Sequence, residues 1–78
     1  MMSDPSSAAA ALVAEALGLS AAEIDEGTAL GVTPQWDSLA HMRLILALEQ
    51  RLGRRLAPEA IVGLADFGDV VALLDEGP

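Results

Sequence analysis

Apolar residues recur at Ala9, Leu12, Val13, Ala16 and Leu17, the i, i+3, i+4, i+7, i+8 spacing of a helix that buries one face. Ser3 or Asp4 stands ready to cap this run ahead of Pro5, and Gly18 stops it, so a first helix is predicted over about residues 5–17. Beyond it, Ser20 and Glu23 have capping-box spacing, yet Asp25, Gly27, Gly31 and Pro34 interrupt any long helix. Residues 18–36 therefore read as a long structured loop with one short turn at Ala21 to Ile24. Its apolar members Leu19, Ile24, Leu30 and Val32 are expected to tie it to the core. Loops of this length are uncommon in a small domain and usually serve a purpose.

The strongest helical pattern begins at Asp37 or Ser38 and runs to about Leu52, where Gly53 supplies a left-handed stop. Arg54 and Arg55 follow, placed against the negative end of that helix. Pro58 opens a short helix over about 58–62 that Gly63 ends. Asp66, with Asp69 three residues later, caps a last helix over about 67–75, in which Phe67, Val70, Val71 and Leu74 form the expected buried stripe. On a wheel of about 100° per residue, the second helix has two apolar faces. His41, Leu44, Ile45, Leu48 and Leu52 make one, expected to face the core. Leu39, Met42 and Leu46 make the other, flanked by Glu49 and Gln50. Two explanations stand: a central helix buried on both sides, or an exposed apolar strip of the kind that meets a partner.

Composition narrows the fold. A chain of 78 residues holds one small domain, residues 1–78, with no room for a second. It is 53% hydrophobic with mean hydropathy +0.43, enough to bury a core. Ala and Leu together far outnumber Val and Ile, and Trp36 and Phe67 are the only aromatics, which favours helix over sheet. An all-α domain follows. The absence of cysteine removes disulfides, thiolate metal sites and a thiol nucleophile, and fits a cytoplasmic location. No basic leader precedes the first helix and no window is long and apolar enough to span a bilayer, so no membrane association is expected.

The formal net charge is −8, and it is unevenly placed. Residues 1–42 contain acids and no base, while Arg43, Arg51, Arg54 and Arg55 are the only basic side chains besides His41. Such a field repels phosphate backbones and anionic lipids, which argues against nucleic acid as a partner.

Ser38 stands directly at the start of the longest helix, after Trp36 and Asp37. The unpaired amides and positive end of a helix stabilise a negatively charged group on such a hydroxyl, and a phosphodiester suits that place. The plainer account is that Asp37 caps the helix and Ser38 is an ordinary first-turn residue; spacing alone leaves both open. A hydrolytic triad of Asp37, Ser38 and His41 fails on geometry, because all three crowd one turn and no nucleophile elbow or oxyanion hole accompanies them. His41 is better explained as a partly buried, hydrogen-bonded side chain. A lone histidine among scattered acids offers no metal-ligand spacing, so no metal site is expected.

The stretch Trp36-Asp37-Ser38-Leu39, continued by His41-Met42-Arg43-Leu44-Ile45-Leu46-Ala47-Leu48-Glu49, resembles the phosphopantetheine attachment region of acyl carrier proteins. The similarity extends over the whole chain: first helix, long loop, Asp-Ser-Leu heading the second helix, short third helix and last helix. It implies a small four-helix bundle of acyl-carrier type with a long loop between its first two helices. It further implies that Ser38 carries 4'-phosphopantetheine, derived from coenzyme A, and that Asp37 belongs to the signature read by the phosphopantetheinyl transferase. The arm's thiol would supply the reactive group that a cysteine-free chain lacks, holding acyl groups as thioesters. Such a chain is a substrate of enzymes, monomeric and without catalytic residues, with Mg2+ and any general base coming from the transferase.

In that family the face of the second helix docks partners, which would give Leu39, Met42, Leu46 and Glu49, with Arg43, a partner-binding role. The expected partners are the transferase, an acyl- or aminoacyl-loading ligase, and downstream acyltransferase, synthase or modifying enzymes. Many fatty-acid-synthesis carriers have acids along this face and in the third helix. Here Ala40, His41, Arg43, Ala60, Ile61 and Val62 stand instead, which points to a dedicated carrier in a specialised fatty acid, polyketide or secondary-metabolite pathway. Peptidyl carriers often have Gly-Gly-His-Ser-Leu at this point, so Trp-Asp-Ser-Leu favours acyl over peptidyl cargo, with a free-standing aminoacyl or peptidyl carrier as the alternative. An unmodified helical docking module remains the rival from a different class.

Overall fold

The computed structural model describes residues 4–76, and Ser3, the alternative first cap, lies outside them. Four helices follow one another: α1 Pro5–Leu17, α2 Ser38–Leu52, α3 Pro58–Gly63 and α4 Phe67–Glu76. The Cα radius of gyration is 11.3 Å, close to the roughly 11.5 Å expected for a folded chain of this length. Among the described residues, no helix is long and apolar enough to cross a membrane.

Local sequence accounts for where the helices begin and end. Pro5 opens α1 and Pro58 opens α3, where a missing N–H costs nothing. Gly18 and Gly53 take φ of 73° and 71° to close α1 and α2, a region in which a Cβ is strained. At the head of α4 the cap is reciprocal: the Asp69 amide donates to Asp66 Oδ1 at 2.9 Å, and the Asp66 amide donates to Asp69 Oδ2 at 3.2 Å.

α1 packs against both α2 and α4. Ala9, Val13, Ala16 and Leu17 of α1 meet Ala40, Leu44, Leu48 and Leu52 of α2 and Val70 and Leu73 of α4 in one continuous core, closed by Leu56 and Leu64. Leu44, Leu48, Val13 and Val70 are fully buried. The stripe expected on α4 holds at Val70, which is fully buried, but its buried leucine differs. Leu73 is its buried leucine, while Phe67, Val71 and Leu74 lie half-buried at the margin, because α4 faces α1 along the line of Val70 and Leu73.

The 18–36 loop contains a 3₁₀ turn over Ala21–Glu23, where the Ser20 amide donates to Glu23 Oε2 at 2.8 Å. The loop is pinned to the start of α4 by a two-bond bridge: the Leu30 amide donates to the Ala65 carbonyl, and the Phe67 amide to the Thr28 carbonyl, both at 2.9 Å. Two expected anchors do not serve. Val32 is 73% exposed and Leu30 38%. The amides of Val32 and Thr33 both turn back to the Ala29 carbonyl, which curls the chain and leaves Val32 at the outer apex. Ile24 and Trp36 hold the loop to the core instead, with Leu19 packed at its edge.

Candidate functional site

The long loop delivers the chain to the head of α2 through a closed set of bonds. The Trp36 amide donates to the Thr33 carbonyl at 2.9 Å, and the Trp36 carbonyl accepts from the Gly31 amide at 3.2 Å. Burial of the indole to 1% exposure then fixes where the loop ends. Asp37 follows in an extended conformation as N-cap, its Oδ1 accepting from the Ala40 amide at 2.9 Å.

Ser38 is the first residue of the 15-residue α2 and is exposed. Asp37 takes the Ala40 amide and the His41 amide bonds to the Asp37 carbonyl, so the Ser38 and Leu39 amides remain without an acceptor among the described residues. An open hydroxyl thus stands beside two free N–H groups at the positive end of four turns of helix. A phosphodiester on that oxygen would keep its charge in water and next to those donors. The Asp37 cap therefore leaves the Ser38 side chain exposed.

His41 is half-buried, and its Nδ1 accepts the Trp36 Nε1–H at 3.0 Å. With Nδ1 given to Trp36 and the Asp37 carboxylate given to Ala40, the three side chains Asp37, Ser38 and His41 form no relay. Among the described residues, no group of three or more His, Asp or Glu side chains is placed to hold a metal ion.

Below Ser38, the second apolar face of α2 lies open to solvent. Leu39, Met42 and Leu46 are 58%, 62% and 61% exposed, against full burial of Leu44 and Leu48 on the other side. The strip is exposed, not buried by a neighbouring element. Arg43 is exposed beside it. Glu49 is placed differently: it is half-buried, and its Oε2 accepts the Leu56 amide at 2.9 Å, so its carboxylate braces the α2–α3 connection. Val62 of α3, 84% exposed, is a further open apolar side chain.

No curated protein and no solved structure matches the chain. A family model does, described as the phosphopantetheine attachment site, and it matches residues 7–74, from the first turns of α1 to the last turns of α4. Carrier domains of this kind are not themselves catalytic; they interact with transferases and with the enzymes of a pathway. With its all-α bundle and this match over most of its length, the chain belongs to the phosphopantetheine attachment-site family, the carriers of covalently attached 4'-phosphopantetheine.

Proposed function

We propose that Ser38 is the residue that carries 4'-phosphopantetheine and that the chain carries acyl groups as thioesters on that arm between partner enzymes. The observation that supports this most is the exposed Ser38 at the first position of α2, next to the two uncommitted amides of Ser38 and Leu39. In the modification, the Ser38 oxygen forms a new ester bond to the phosphorus that bears pantetheine. The bond from that phosphorus to the departing adenosine 3',5'-bisphosphate of coenzyme A breaks, and the hydroxyl proton passes to a base of the transferase. The residues of this chain hold the hydroxyl in the open, supply two N–H donors to the resulting anion, and keep the helix start rigid through the Asp37 cap. Once attached, the arm supplies the thiol for thioester chemistry.

The exposed Leu39, Met42 and Leu46 strip, with Arg43 beside it, is the surface we assign to partner enzymes. The apolar and basic character of this face, together with Trp-Asp-Ser-Leu at the site, supports an acyl carrier of a specialised pathway with its own loading enzyme. Glu49, occupied by the Leu56 amide, is not assigned to that surface.

The test is mass spectrometry after incubation with coenzyme A, Mg2+ and a broad-specificity phosphopantetheinyl transferase. The wild-type chain gains the mass of one phosphopantetheine and Ser38→Ala gains none. A folded wild-type chain that gains nothing is an unmodified docking module, and the proposal fails.

A further inference from the structure

Trp36 and His41 flank Ser38 in the chain and meet in space. The Trp36 Nε1–H donates to His41 Nδ1 at 3.0 Å, with ring centroids 6.2 Å apart and planes inclined at 31°. Because Trp36 is 1% exposed, no water can replace that acceptor, and a buried donor left alone is costly. The imidazole accepts at Nδ1 only in the neutral form that keeps its proton on Nε2.

The bond crosses the junction between loop and helix. On its loop side Trp36 is tied to Thr33 and Gly31; on its helix side the His41 amide is tied to the Asp37 carbonyl at 2.9 Å. Asp37 secures the backbone of the first turn, whereas the Trp36–His41 pair secures the loop against that turn. Ser38 lies between the two residues and takes its position from both. Taking Ser38 as the attachment residue, we infer that His41 is a positioning residue: its Nδ1, by holding the Trp36 indole, fixes where the Ser38 hydroxyl is presented to the modifying enzyme. It touches neither the hydroxyl nor the reacting phosphorus and acts through Trp36. Affinity for the modifying enzyme rests on the exposed strip of α2, which the pair leaves alone, so loss of the pair lowers kcat and spares KM.

The experiment measures modification kinetics with a broad-specificity phosphopantetheinyl transferase, coenzyme A and Mg2+, alongside the NMR signal of the indole N–H, unique because the chain has one tryptophan. His41→Leu removes the acceptor and keeps an apolar body; His41→Asn sets an amide oxygen close to where Nδ1 stands. For His41→Leu, kcat falls about five- to tenfold while KM stays within about twofold, the scale of one lost hydrogen bond at a positioned group. His41→Asn recovers most of that loss and keeps the downfield, hydrogen-bonded indole N–H resonance of the wild type, while in His41→Leu that resonance moves upfield. Trp36→Phe removes the donor from the other side and lowers kcat alike, and the double variant with His41→Leu is no slower than either single one. Equal losses in His41→Leu and His41→Asn overturn the inference, as does wild-type kcat in a folded His41→Leu or Trp36→Phe chain. A wild-type chain that takes no group at Ser38 overturns the attachment reading instead, while the indole N–H resonance still reports on the pair.

Discussion

Truncating Leu48 to alanine, with Leu46→Ala as its partner two residues away on the same helix, separates the buried and open faces of α2 by stability alone. Leu48 is 0% exposed and packs within the core that α1, α2 and α4 share. Its loss combines the transfer free energy of the missing groups with the cavity they leave, about 3 kcal/mol. Leu46 is 61% exposed, so only about four-tenths of its side chain leaves water on folding, and its truncation costs less than about 1 kcal/mol. A chain of this size has about 4–12 kcal/mol in total, so the first loss is a large share and the second is not. Urea unfolding followed by far-UV circular dichroism resolves the difference. With a slope of about 1 kcal/mol per molar urea, the Leu48→Ala midpoint drops by about 3 M and the Leu46→Ala midpoint by less than about 1 M. In thermal unfolding the Leu48 variant loses about 12–24 °C at about 4–8 °C per kcal/mol. Equal shifts for the two variants, or a larger one for Leu46→Ala, would refute the assignment of faces and the partner surface built on it.

Leu46→Asp should leave the helical signal intact and reduce acyl transfer from the loading enzyme, since it puts a charge in the centre of the exposed strip; a collapse of the fold would contradict that placement. Asp37→Ala should lower stability by about 1 kcal/mol through loss of the bond to the Ala40 amide, with Asp37→Asn close to wild type in urea midpoint; slower modification of the Asn variant would then isolate the role of the charge. Glu49→Ala, which strands the Leu56 amide, should cost about 1.5–3 kcal/mol, and Glu49→Gln clearly less, as read from urea midpoints; equal losses would remove the brace. Gly53→Ala should cost about 1 kcal/mol, because φ of 71° strains any residue with a Cβ; an unchanged thermal midpoint would contradict this.

Features set by short-range rules were legible in the sequence. Pro5, Gly18, Gly53 and Pro58 mark helix ends through their own backbone limits, and Asp66 with Asp69 marks the head of α4 by a three-residue spacing. The division of α2 into Leu44, Leu48 and Leu52 on one side and Leu39, Met42 and Leu46 on the other followed from the helical period, although only the packing decides that the second side is open. The loop was less legible. An apolar residue such as Val32 reads as an anchor until the turn back to Ala29 carries it outward, and Trp36, known from sequence as a neighbour of Ser38, becomes the buried end of the loop only through contacts that no period encodes. At the site, Ser38 stood out by its place before a strong helix. His41 was readable as a hydrogen-bonded, half-buried side chain, but its partner was not, because a five-residue spacing that spans a loop–helix junction has no regular geometry. The bond of Glu49 was not legible for a similar reason: its acceptor role depends on where the chain returns at Leu56.

The most direct test of the account is to locate the attached group. Of five serines in the chain, Ser38 alone heads the longest helix with an open hydroxyl. After modification with coenzyme A and the transferase, the protein is cleaved and its peptides are fragmented in the mass spectrometer. The account predicts a single phosphopantetheine on the peptide that contains Ser38, and none when Ser38 is alanine. Attachment at Ser3, Ser6, Ser7 or Ser20, or continued labelling of the Ser38→Ala chain, would contradict it.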